Sequence, residues 1–383
     1  MTKTVDGESP NSYVLMDGMR GVGAFVVLIG HTMAFWANIP VGAAYVVVDF
    51  FFILSGFIIA YSYEPRLAKG LGIGDFMHQR VVRLFPIYVL GVITTFVVLA
   101  ALAVQSATPE SRLSQLVAEL APELFMLPAP VTHDGLLYPL NMPAWTLLFE
   151  MIVNLVFVLI WRWLSTPVLI ALLLALALAL GYHVFLTDGV DKGQNWDELL
   201  GGLLRAGFGF FGGVLIYRLS GRPKGPTTRR SWLSFVFLAI IPLMYFVEVP
   251  PKYLPISDIA LVMVFGLAFV ALSQRYHPSK RWWALFAWGG RVSYPIYALH
   301  FTAVELATRM AWKWPELTST YRPLGGVAIL IAVTLWAHLA EKYYDRPLRR
   351  WWMSKLKKKA PSRGSPTAPA AVAPEITARR PAE

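Results

Sequence analysis

The sequence predicts an all-α, polytopic membrane protein: a single bundle of about ten transmembrane helices with both termini in the cytoplasm. Hydrophobic residues make up 56% of the 383 residues and charged residues only 15%, a balance atypical of soluble globular domains. Apolar runs close to the ~20 residues needed to cross a bilayer recur along nearly the whole chain. Basic residues concentrate in alternate loops, as expected when those loops face the cytoplasm.

Each predicted span is an apolar segment that ends at polar residues. In chain order the segments are roughly 14–36, 42–62, 84–104, 143–164, 167–186, 199–219, 232–249, 255–273, 283–304 and 322–342. Arginines and lysines cluster within 66–83, 218–230 and 275–281, and the intervening loops carry far fewer. This asymmetry places both termini on the cytoplasmic side.

The domain organisation follows from the same pattern. Residues 1–12 are a predicted cytoplasmic tail, 13–350 form the membrane domain, and 351–383 form a basic, then Ala- and Pro-rich, disordered tail. The net charge of +11 is explained by membrane topology and contact with anionic lipid, so no nucleic-acid partner is expected. The chain has no cysteine, which excludes thiolate chemistry, and we expect no metal.

Ionisable side chains inside spans are costly and usually functional. Arg20 and His31 are eleven residues apart in the first span, so both lie on one helix face about 16 Å apart along the axis. Asp49 lies at a similar depth in the second span. Because a short turn joins these two helices, we predict that Asp49 orients His31, a general-base candidate, and raises its basicity.

Two later spans add polar side chains at the same predicted level. Thr146 and Glu150 are four residues apart on one face of the fourth span. In the ninth span, Tyr297 and His300 follow the same helical spacing and lie near the outer surface. Two histidines and two carboxylates are therefore expected near one level in the outer half of the bilayer.

A second group of charges lies at the cytoplasmic ends of the helices. Arg80 and Arg83 are three residues apart and point the same way from a helical turn, and Arg20 lies at the same end of the first span. Guanidinium groups suit phosphate binding. A basic inner mouth beneath an outer acid/base cluster predicts transfer from a phosphorylated cytoplasmic donor to an outer acceptor.

Six segments then match one family. They are LMDGMRGVGAFVVLIGH with Arg20 and His31, VVVDFFFILSGFII with Asp49, RVVRLFPIY with Arg80 and Arg83, PAWTLLFEM with Glu150, SYPIYALH with His300, and YYDRPLRR near the end. In this order and spacing, over about residues 13–350, the sequence resembles the acyltransferase family 3 of ten-helix bacterial membrane acyltransferases. It departs mildly at Thr146, where the family usually has Ser, and at Asp345, where Glu is common.

The resemblance implies an O-acyltransferase of the bacterial inner membrane. Its donor would be cytoplasmic acyl-CoA, acetyl-CoA first and a succinyl donor second, and its acceptor an extracytoplasmic carbohydrate or lipid-linked saccharide. His31, Arg20, Asp49 and Glu150 would be catalytic. Arg80 and Arg83, with Arg20, would bind the donor. We expect substrate binding by Thr146, Tyr297 and His300.

Two alternatives stay open at this point. Direct attack by the acceptor hydroxyl, with His31 as base, competes with a transient acyl-histidine. A sugar or lipid-linked saccharide transporter would use the same intramembrane charges as a proton relay.

Overall fold

A computed structural model describes residues 13–36, 39–40, 42–105, 108–130, 135–220 and 230–359. These residues form helices and loops without a β-strand, apart from one isolated bridge between Leu136 and Asn195. The α-helices are α1 Val14–His31, α2 Val47–Leu67, α3 Ile73–Ala103, α4 Pro109–Glu123, α5 Trp145–Ile160, α6 Thr166–Leu186, α7 Leu199–Ser220, α8 Leu233–Leu243, α9 Leu254–Ile259, α10 Leu267–Ser273, α11 Lys280–Lys313, α12 Pro315–Thr320, α13 Leu324–Ala340 and α14 Arg346–Lys359.

The predicted polytopic helical fold is confirmed. Within the described ranges, eight helical segments are long and apolar enough to cross a membrane. The other two predicted spans are also helical. Leu233–Phe246 is shorter, and α11 has 34 residues but carries several charged and polar side chains among its apolar ones. Two π-helical segments, Ala260–Gly266 and Glu341–Asp345, join α9 to α10 and α13 to α14.

Helix α14 passes through residue 350, the predicted end of the membrane domain, and ends at Lys359. The ring of Trp352 lies 5.9 Å from that of His78 and 6.3 Å from that of Phe85, so α14 packs against α3. The predicted tails 1–12 and 360–383 lie outside the described residues.

Helix neighbours in space are not helix neighbours in sequence. The α1 helix packs most extensively against α11, and α2 against α7. At the α2–α7 contact, a Cβ on Gly56 would lie 1.8 Å from the backbone oxygen of Phe210, and one on Gly213 would lie 2.0 Å from that of Ile53. Glycine is therefore required for this close approach, as in other membrane helix pairs.

Replacing Gly56 with alanine is expected to destabilise the fold by at least about 1–3 kcal/mol, because the added carbon meets backbone that cannot rotate away. Thermal unfolding in detergent measures the loss. Gly74→Ala is the matched control, since a Cβ there meets nothing within 4 Å and alanine favours the helix. Equal melting temperatures for the two variants would contradict the role of Gly56.

The loop between α3 and α5 contains the amphipathic helix α4. It buries Leu116 together with two carboxylates one turn apart, Glu119 and Glu123. Leu140 donates its backbone N–H to Glu123 Oε1 at 2.9 Å, while Oε2 is buried without a partner in the described structure. Burial, and secondarily the charge of Glu119, raises the pKa of Glu123 to about 8.

This carboxyl makes stability depend on pH. In the folded protein Glu123 keeps its proton up to about pH 8. In the unfolded chain the same carboxyl loses its proton at about pH 4.3. Its contribution to the free energy of unfolding is therefore complete below about pH 4 and decreases as the pH rises to about 8. Between pH 5 and 8 the melting temperature of the wild type should fall more than that of Glu123→Gln. Parallel curves would show that Glu123 does not carry this dependence.

Candidate active site

The first helix carries charged or titratable side chains at its two ends. Arg20, near the start of α1, lines a cavity, and His31 is the last residue of the helix. Their separation of eleven residues corresponds to about 16 Å of helix. Arg20 lies 3.9 Å from Asp17 of the preceding turn, a long and partly exposed ion pair.

At its far end, α1 brings His31 to His300 of α11. The two rings meet edge to face with centroids 5.2 Å apart. His300 is fully buried, and its Nδ1 lies 2.7 Å from the Tyr297 carbonyl oxygen. Because a carbonyl oxygen only accepts, Nδ1 must carry the hydrogen, and Nε2 is buried without a partner among the described residues. The structure thus places two imidazoles together, one with a fixed tautomer.

The predicted pairing of Asp49 with His31 is replaced by a different ion pair. Arg205 of α7 donates from Nε to Asp49 Oδ1 at 3.0 Å and from Nη2 to Oδ2 at 2.8 Å, and both side chains are fully buried. Both carboxylate oxygens are therefore engaged by one guanidinium, a fork geometry specific to arginine. The reason is that α2 packs on α7, so the Asp49 carboxylate is held by α7.

Arg205 is not among the site residues predicted from the sequence. An arginine in the middle of the apolar segment 199–219 was the available signal, since such residues are rarely tolerated without a partner. Its guanidinium also donates to the Lys192 backbone oxygen at 2.8 Å, lies 3.5 Å from Asp191, and stacks over the Trp145 ring at 5.3 Å. Arg205 therefore ties α2 and α5 to the loop before α7.

A second cross-helix contact positions Glu150. Arg80 Nη2 of α3 lies 2.6 Å from Glu150 Oε1, and the Ser55 hydroxyl of α2 donates to the same oxygen at 2.8 Å. The two charged side chains are 11% and 19% exposed. Arg80 was predicted to bind the donor, but in this structure its charge is matched by Glu150. Arg83, one turn further along, has no ion-pair partner among the described residues.

These side chains surround one cavity of about 660 Å³. One region of its lining is strongly basic, with seven arginines that we call the arginine mouth: Arg20, Arg66, Arg80, Arg83, Arg346, Arg349 and Arg350. Ser55 and Glu150 also line the cavity, as do Thr146 and Tyr297. The predicted phosphate-binding arginines and the predicted polar stripe of α5 therefore line the same cavity.

The cavity lining reaches the histidine pair through Tyr297, while His31 and His300 themselves are not part of that lining. Thr146 and Tyr297 join their hydroxyls by a hydrogen bond of 2.8 Å, and Phe51 meets the Tyr297 ring edge to face at 5.9 Å. The Tyr297 ring centroid lies 5.9 Å from that of His300, which contacts His31. One aromatic residue therefore links the cavity lining to the two imidazoles.

The chain is similar to one known family and to two known proteins. The family described as "Acyltransferase domain" matches residues 13–340. "Protein 2 in picA locus" of Rhizobium radiobacter is 37% identical over 166 residues, which cover 40% of this chain and 83% of that protein. "Exopolysaccharide production protein ExoZ" of Rhizobium meliloti is 28% identical over 311 residues, 79% of this chain and 89% of that protein. No solved structure matches.

Proposed function

This chain belongs to the acyltransferase domain family and is a membrane O-acyltransferase, and we propose that it moves an acyl group from acyl-CoA to a hydroxyl of an extracytoplasmic carbohydrate. The observation that carries the proposal is the single cavity, which reaches from the arginine mouth to the Thr146–Tyr297 pair beside the histidines. The printed name of the ExoZ relative, an exopolysaccharide production protein, supports a carbohydrate acceptor.

The donor would bind with its phosphates at the arginine mouth, where guanidinium groups suit phosphate oxygens. Arg83 and Arg20 would contact them directly. The pantetheine arm would then extend toward Tyr297 along the apolar and aromatic part of the lining. That part includes Phe51 and Phe52. In this arrangement Arg80 is a positioning residue, since it acts through Glu150.

At the far end, His31 would act as general base. It takes the proton of the acceptor hydroxyl, whose oxygen attacks the thioester carbonyl; the carbon–sulfur bond breaks, and the protonated imidazole returns its proton to the departing thiolate. In the alternative route His31 itself attacks, releases the thiol and passes its acyl group to the acceptor hydroxyl. Glu150, Thr146 and Tyr297 would hold the substrates, and His300 would contact His31.

The proposed orientation of the protein in the membrane follows from the distribution of basic residues. Basic loops favour the cytoplasm, so the arginine mouth would face the cytoplasmic pool of acyl-CoA and the histidine pair would lie in the outer half of the bacterial inner membrane. The acceptor would approach from outside.

Mass spectrometry of surface and periplasmic glycans, with and without the gene, tests this function and identifies acyl group and acceptor together. We expect a glycan in the deletion strain that keeps its sugars but lacks one acyl mass, restored by the wild-type gene. If the glycan is missing from the surface of the deletion strain but is found elsewhere in the cell with its acyl groups unchanged, acyl transfer is contradicted and transport is favoured.

A further inference from the structure

We infer that Arg66, Arg350 and the Tyr63 ring form a separate subsite in the arginine mouth for the nucleotide end of the donor, so that the enzyme prefers nucleotide thioesters to shorter ones. The inference rests on the proposed function, because it concerns which part of acyl-CoA is recognised. It is carried by the distribution of carboxylate partners among the seven arginines.

Four of these arginines already have acidic partners. The pairs are Arg20 with Asp17 at 3.9 Å, Arg80 with Glu150 at 2.6 Å, Arg346 with Glu341 at 2.8 Å and Arg349 with Asp345 at 2.5 Å. A guanidinium that is matched by a nearby carboxylate adds less net attraction for a phosphate than an unmatched one. These four therefore add less net attraction for phosphate than the other three arginines.

Three arginines lack a carboxylate partner among the described residues: Arg66, Arg83 and Arg350. They come from three elements, α2, α3 and α14. Arg66 donates to the neutral amide oxygen of Gln79 at 2.8 Å, which orients the side chain without cancelling its charge. Cations from three helices are thus available for the phosphates of coenzyme A, which are a diphosphate and a 3′-phosphate.

The three arginines differ in how far their side chains are exposed. Arg83 is only partly exposed, whereas Arg66 and Arg350 are exposed at the outer edge of the same cavity. The inner cation then suits the diphosphate next to the pantetheine arm, and the two outer cations suit the 3′-phosphate and its nucleoside. Arg66 lies over the Tyr63 ring, 4.8 Å from its centroid, and this ring also lines the cavity, which provides a flat apolar surface beside the charge.

Phosphate groups of lipid headgroups share this chemistry. The convergence of α2, α3 and α14 on a single cavity favours a bound donor over scattered headgroups. The contact of Trp352 with His78 fixes α14 in that position. The test must still separate the two sources of phosphate.

Binding of a thioether that cannot transfer its acyl-like group provides the test. We would reconstitute the full chain in vesicles of zwitterionic phosphatidylcholine and measure the Kd of S-ethyl-CoA, of its 3′-dephospho form and of S-ethyl-phosphopantetheine by calorimetry. The variants are Arg66→Ala, Arg350→Ala and the double variant. Arg162→Ala is the matched control, because it removes an exposed arginine at the corresponding end of α5 that does not line the cavity.

Each single variant is expected to weaken S-ethyl-CoA binding about tenfold. At least one should lose the preference for the 3′-phosphate, and all should bind S-ethyl-phosphopantetheine as the wild type does. Arg162→Ala should match the wild type throughout.

The inference is overturned if the double variant keeps the wild-type Kd for S-ethyl-CoA, or if it loses affinity equally for all three compounds. It is also overturned if the variants and the wild type differ in Kd for S-ethyl-CoA only when anionic lipid is added to the vesicles. A wild type that binds none of the compounds would instead refute the proposed donor itself, so the two failures are distinguishable.

Discussion

Replacing His31 with alanine is expected to lower the rate of acyl transfer by about 10²–10⁴-fold, because general acid–base catalysis by a positioned side chain contributes that much. The side chain contacts the His300 ring beside the end of the cavity, so the loss should fall on kcat, with donor affinity retained. The measurement is the rate at which labelled acyl groups are transferred from acyl-CoA to the acceptor that glycan analysis identifies. A variant that folds normally and keeps full activity would contradict any chemical role for His31.

His338→Ala is the matched control for this prediction. His338 lies on α13 and accepts a long hydrogen bond of 3.4 Å from Trp288, away from the cavity lining. Its loss should leave kcat unchanged. Rapid-quench trapping of acylated protein without acceptor then separates the two routes, since only the acyl-histidine route yields labelled wild type.

Replacing Asp49 with alanine is expected to destabilise the fold by about 3–5 kcal/mol, because it leaves the fully buried Arg205 without its bidentate partner. Thermal unfolding in detergent and the yield of folded protein measure this loss. Combining Asp49→Leu with Arg205→Met should recover much of the stability, because no unpaired charge then remains buried.

An exposed ion pair provides the comparison. Arg309 and Glu305 are one turn apart on α11, with side chains 51% and 27% exposed. Arg309→Ala should cost no more than about 0.5 kcal/mol, as for other exposed pairs within a helix. Equal losses in Asp49→Ala and Arg309→Ala would refute a structural role for the buried pair.

The helical segments could be predicted from sequence because crossing a bilayer requires a run of about 20 mostly apolar residues. Their ends could be predicted less well, since α3 begins at Ile73 and its predicted span at residue 84. Candidate site residues could also be found, since ionisable groups such as His31 and Glu150 stand out against apolar neighbours. The position of α1 within the bundle could not be predicted from sequence. The turn after α1 suggests that Asp49 faces His31, but α1 packs mainly on α11, which brings His300 to His31.

The same physical reason explains the other surprises. Gly56 and Gly213 let α2 approach α7, and that approach places Arg205 on Asp49. The pairing of Arg80 with Glu150 joins residues 70 positions apart, and helical periodicity carries no information on such a contact. Periodicity predicts which face of a helix is polar, but not which helix that face meets.

We propose that the acyl group passes through one cavity from the arginine mouth to an acceptor beside His31, across the membrane. The most direct test uses purified protein in sealed, uniformly oriented vesicles, with labelled acyl-CoA on the arginine side and the identified glycan enclosed on the other. We predict that label appears on the enclosed glycan with wild-type protein and not with His31→Ala. Transfer that occurs only when donor and glycan share one compartment would contradict the account.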